Sequence, residues 1–76
     1  MKELAEYIVK NLVDHPEHVD VKAIDGNQIM VLELKVDNGD TGKIIGRQGR
    51  MADALRTILG AVASKQSKRM VLEIVD

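Results

Sequence analysis

Apolar and polar positions along this chain follow two periods, and the places where the period changes mark its elements. Leu4, Ala5, Ile8 and Leu12 recur at helical spacing, with Glu3 and Glu6 in the first turn, where the helix dipole favours negative charge. Asp14-His15-Pro16 stops that helix, because proline pushes the residue before it out of the α region. The period then shortens to two. Val19, Val21 and Ala23 alternate with Asp20, Lys22 and Ile24 as a half-buried strand. Asp25-Gly26-Asn27 is a turn signal. A second strand follows, with Met30, Leu32, Leu34 and Val36 on one face and Glu33 and Lys35 on the other, so the two strands form a hairpin.

Asp37-Asn38-Gly39 breaks this strand, and Asp40 or Thr41 is placed to cap a very short helix over residues 42–45. Residues 46–49 interrupt the helical pattern. A longer helix runs from about residue 50 to 65, and its apolar stripe is expected to be Met51, Leu55, Ile58, Leu59 and Val62. After Gln66-Ser67-Lys68, the alternation of Met70, Leu72 and Ile74 with Val71, Glu73 and Val75 gives a last strand. The order is α-β-β-α-α-β. The hairpin is antiparallel, and the helical connection makes the second and third strands parallel. The predicted fold class is α+β: a three-stranded mixed sheet with three helices on one face, in one domain spanning residues 1–76.

Composition removes several classes of function. The chain has no cysteine, which excludes disulfides, thiolate metal sites and cysteine nucleophiles and favours the cytoplasm. Glu3, Glu6 and Lys10 interrupt the N-terminal segment and argue against a signal peptide. The longest apolar run, Ile29 to Leu32, is too short to cross a bilayer. The net charge of −1 hides a strong asymmetry. Residues 1–42 carry four basic and nine acidic side chains, whereas residues 43–69 carry seven basic and one acidic. A basic island in an acidic chain is the footprint expected of a nucleic-acid contact.

The island contains Gly42-Lys43-Ile44-Ile45-Gly46-Arg47-Gln48-Gly49-Arg50. A tight link between two helices needs positive φ or close backbone approach, and glycine allows both. The link ends where the long helix begins, at free N–H groups and the positive end of the dipole, a natural phosphate site. Arg47, Arg50 and Lys43 add positive charge around it. The spacing fits neither a P-loop, which needs Gly-Lys-Ser/Thr after four intervening residues, nor the Gly-x-Gly-x-x-Gly dinucleotide fingerprint.

This run resembles the helix–GXXG–helix core of KH domains, whose loop clamps the backbone of about four nucleotides. With Ala54-Leu55-Arg56, Leu12-Val13-Asp14-His15-Pro16 and Val71-Leu72-Glu73-Ile74-Val75 around it, the whole chain is similar to small bacterial single-KH proteins of the KhpA type, with the type II KH topology. The resemblance implies single-stranded RNA binding, a role as RNA chaperone or post-transcriptional regulator, pairing with a second KH protein, and a link to cell-wall homeostasis and cell length. Carried onto this chain, the RNA-binding residues are Gly42, Lys43, Ile44, Gly46, Arg47, Gln48, Gly49 and Arg50. The only aromatic residue, Tyr7, lies away from the loop, which excludes an aromatic stacking platform; the resemblance implies that bases rest on aliphatic side chains, for which Ile44, Ile45 and Met51 are available, some of them being core.

Other readings are weaker or complementary. His15 and His18 lie near Asp14 and Glu17, but Pro16 breaks the helix that would align them, so neither metal nor cofactor is expected. No grouped catalytic set is present, so no enzymatic activity is expected. The competing class is an assembly module. Thr57, Gly60, Ala61 and Ser64 form a small-residue face on the long helix, suited to close approach by a second helix in a homodimer or a heterodimer.

Overall fold

The computed structural model describes residues 1–75. Its elements are α1 (Lys2–Lys10), β1 (Asp20–Asp25), β2 (Ile29–Lys35), α2 (Thr41–Ile45), α3 (Arg50–Lys65) and β3 (Arg69–Val75), with short 3-10 turns at Pro16–His18, Asn38–Asp40 and Arg47–Gly49. The strand order is β1-β2-β3. β1 runs antiparallel to β2, from Asp20 opposite Lys35 to Asp25 opposite Met30. β2 runs parallel to β3, from Ile29 beside Arg69 to Lys35 beside Val75. The fold is the expected α+β arrangement of a three-stranded mixed sheet and three helices.

The core joins Ala5 and Val9 of α1, Val21 of β1, Met30, Leu32 and Leu34 of β2, Val36, Ile44 of α2, Leu55 and Leu59 of α3, and Leu72 of β3. The strand residues among them occupy inward positions of the alternation. Val31, Glu33, Val71 and Glu73 point to the opposite face of the sheet.

Three details differ from the sequence reading. α1 ends at Lys10, earlier than Pro16 requires, where the Asn11 amide Nδ2 donates to the Tyr7 carbonyl at 2.7 Å; its buried positions are Ala5 and Val9, one turn apart, while Leu4 is at the surface. In β1 only Val21 is buried, because this edge strand and the turn after it, residues 22–29, are exposed throughout. The stripe of α3 is rotated. Ala52, Leu55, Leu59 and Ala63 are buried, Met51 and Val62 are half-buried, and Ile58 is 48% exposed. Small alanines line the contact because they allow the helix to lie close to the sheet, and the larger Ile58 is displaced to the outside.

Candidate nucleic-acid interface

The link between α2 and α3 is held at both ends by the core. Ile44 is completely buried, as are Ala52 and Leu55 on the other side. The Gly46 N–H donates to the Gly42 carbonyl at 2.8 Å and closes α2. Gly46 then adopts φ 72°, ψ −178°, a conformation open essentially to glycine alone. A Cβ there would lie 2.7 Å from Met51 Cβ and 2.9 Å from Met51 N. Gln48 and Gly49 follow in left-handed conformations, with φ 55° and 76°. A Cβ on Gly49 would meet open space, so its requirement is conformational only. The resulting turn exposes Arg47, Gln48 and Arg50 around a hollow of about 390 Å³. The N-terminus of α3 has no side-chain cap, although the Arg50 N–H already donates to the Arg47 carbonyl, so an anion there would meet the positive end of the helix dipole.

On the other side of the loop lies an open groove of about 800 Å³. One wall is Thr41, Ile45, Gln48, Gly49, Ala52, Asp53 and Arg56; the other is β3 from Leu72 to Val75. Ile45 is 41% exposed and supplies the groove with an aliphatic surface. Asp53 places a carboxylate on it, where Arg56 Nη1 donates to Asp53 Oδ1 at 3.3 Å. A phosphate chain is therefore favoured along Arg47 and Arg50, with neutral groups directed into the groove.

Ion pairs divide the basic island. Lys43 is paired with Asp14, and Lys68 with Asp25. The Lys43 ammonium, hydrogen-bonded to Asp14, holds that carboxyl below the ordinary carboxylate range. Among the described residues, Arg47, Arg50, Lys65 and Arg69 make no salt bridge. Two of these four flank the glycine loop.

Gly42, Arg47, Gln48 and Arg50 are exposed, and Gly46 and Gly49 half-buried, along one continuous surface. Ile44 is a correction. Its side chain is sealed in the core and cannot touch a ligand, so it anchors the loop and leaves the groove to Ile45. Lys43 is engaged by Asp14, and Met51 packs against Gly46. The second face of α3 keeps Thr57, Ala61 and Ser64 exposed and Gly60 half-buried. The Thr57 hydroxyl donates to the Asp53 carbonyl at 3.0 Å, and a Cβ on Gly60 would meet nothing within 4 Å. Sequence reasoning left Arg56 evenly balanced between solvent and RNA contact, and it missed the β3 wall and the place of Asp53 in the groove. The parallel pairing that brings β3 beside α3 was the available signal, but which strand residues face the groove depends on how the helix is seated. It also missed that Ile58 joins Ala54 and Ala61 on the exposed side.

The family model described as "KhpA/KhpB, KH domain" matches residues 2–74. The chain is 53% identical over 74 residues to a protein of Borreliella burgdorferi named RNA-binding protein KhpA, covering 97% of this chain and 90% of that one. It is 52% identical to the protein of that name from Clostridium perfringens, covering 99% of this chain and 100% of the other. The counterpart from Chlamydia muridarum is 50% identical over 100% of this chain and 97% of its own. No solved structure gives a significant match. The helix–loop–helix geometry and a family match over nearly every residue lead to one conclusion: the chain belongs to the KhpA/KhpB family of KH domains.

Proposed function

We propose that this chain is an RNA-binding protein that grips single-stranded RNA at the Gly46–Gly49 loop and performs no chemistry on it. The observation that carries this reading is the adjacency of two unpaired arginines, Arg47 and Arg50, to a groove floored by Ile45 and Ala52. Phosphates pass over the loop and the uncapped start of α3, while about four bases rest on aliphatic surface and against the polar edge of β3. The names of the relatives support RNA as the ligand.

The whole chain acts as one KH domain, in the cytoplasm, as an RNA chaperone or post-transcriptional regulator. The family resemblance is the basis for extending this to cell-wall homeostasis and cell length. One groove without aromatic stacking binds weakly, and joining two raises the effective concentration for the second contact. The domain therefore works as a homodimer or beside a second KH protein, through the face carrying Thr57, Gly60, Ala61 and Ser64, with exposed Ile58 at its border. A reading in which assembly is the main role is favoured by that same exposed Ile58.

Replacing both Arg47 and Gln48 with Asp separates the alternatives. These side chains are exposed, so circular dichroism should be unchanged. Two carboxylates at the phosphate site should abolish retention of a short single-stranded RNA in filter binding. Wild-type retention by the folded double variant would remove the loop from the binding surface and leave the assembly reading in its place.

A further inference from the structure

We propose that the segment after α1 and the connection from β2 to α2 form a site for one divalent transition-metal ion of the zinc class, ligated by His15, Asp37 and Asp40. His15 is distant in sequence from Asp37 and Asp40, yet the three offer ligand atoms that all lie within 4.8 Å of one another. The chain between His15 and Asp37 folds out as the β1–β2 hairpin and returns, which is why residue spacing gave no sign of the site.

Asp40 is the strongest part of the case. It is 2% exposed and, among the described residues, is the one polar residue buried with the core. Its oxygens accept the backbone N–H groups of Asp14 at 3.2 Å and His15 at 2.9 Å. Among the described residues no cationic group lies within salt-bridge distance of it. A buried carboxylate ordinarily has a cation or a metal beside it, and each of these oxygens keeps a second lone pair for one. Asp37 brings a second carboxylate to the same place. It is fixed by the Gly39 N–H at 3.0 Å on one oxygen and by His18 Nδ1 at 2.9 Å on the other. Ligating carboxylates are usually held by such hydrogen bonds, which makes His18 a positioning residue.

One imidazole and two carboxylates suit Zn²⁺, with a fourth position left to water. Mg²⁺ and Ca²⁺ prefer oxygen ligands in larger number. Bonds of roughly 2.0–2.2 Å require the ligand atoms to draw together by about an ångström, a movement for the exposed His15 ring, whose aromatic neighbour is the edge-on His18 ring with centroids 5.8 Å apart. The bound ion would tie the segment after α1 to the segment that enters α2. None of the three ligands lines the groove or the glycine loop.

The test uses the untagged chain, titrated with zinc chloride by calorimetry at neutral pH and melted with and without the metal. The expected result is one Zn²⁺ per chain, a higher melting temperature with zinc, and no effect of Mg²⁺ at the same concentration. His15→Ala, at the surface, and Asp37→Asn, at a half-buried position, both checked for fold by circular dichroism, should each weaken zinc binding by about tenfold or more. His18→Gln should weaken it less. No heat and no melting shift at about a hundred micromolar zinc would overturn the site. So would affinities in both variants equal to wild type, which would mark the binding as scattered surface coordination. RNA retention is read separately, so failure here leaves the loop assignment standing.

Discussion

At Gly46 and Gly49 the same residue type answers two different demands. Gly46 combines a glycine-only conformation with van der Waals contact against Met51, whereas Gly49 needs only its left-handed φ. Gly46→Ala should therefore cost more than the roughly 1–3 kcal/mol of backbone strain alone, and Gly49→Ala about 1–2 kcal/mol. Urea unfolding of the two variants checks the order; equal costs would mean that the Met51 contact relaxes freely. A similar contrast holds between Lys43 and Arg50. Binding of single strands should weaken with salt at a log–log slope of about −0.7 per phosphate neutralised. Arg50→Ala should flatten that slope by about one such increment, while Lys43→Ala, already committed to Asp14, should leave it nearly unchanged. Fluorescence anisotropy across a salt series distinguishes them, and a large Lys43 effect would show that RNA displaces Asp14.

At the scale of elements, periodicity was enough to find the three α-helices and three strands, because the period changes from one element to the next. What it did not find was rotation. The stripe expected on α3 shares Leu55 and Leu59 with the real one, but the packed line runs through Ala52 and Ala63. Hydrophobicity ranks Ile58 above both alanines; closeness of the helix to the sheet reverses that ranking. Leu59→Ala should cost about 2–5 kcal/mol, and Ile58→Ala well under about 1 kcal/mol, in thermal or chemical unfolding. A large loss at Ile58 in the monomer would contradict the observed seating. The glycine loop was legible because glycine has a conformational reason to be there. The capping expectation for Asp40 was not met: its carboxylate turns to the backbone of Asp14 and His15, partners that no local pattern could indicate.

Across the whole molecule, the asymmetry of charge was visible in the sequence, but its sharpening was not. Three of the seven basic residues of the island are occupied by Asp14, Asp53 and Asp25, and this leaves Arg47 and Arg50 as the free pair beside the groove. Assembly is tested on α3. If its outer face meets only solvent, Gly60→Ala should stabilise the chain by about 0.5–1 kcal/mol, since a Cβ there meets nothing and glycine weakens a helix. If a second helix packs there, Ala61→Asp should produce monomers in analytical ultracentrifugation and lower RNA affinity with the loop intact, and Gly60→Ala should weaken self-association. Wild-type monomers at high concentration would contradict the homodimer. Amide chemical shifts of the labelled protein, titrated with a short single-stranded RNA, report whether RNA lies across the loop and into the groove. Shifts are expected to concentrate at Ile45 through Arg50, at Ala52, Asp53 and Arg56, and along β3 from Leu72 to Val75. Shifts centred instead on Ile24 and Val31, on the open face of the sheet, with the glycine loop silent, would contradict that placement.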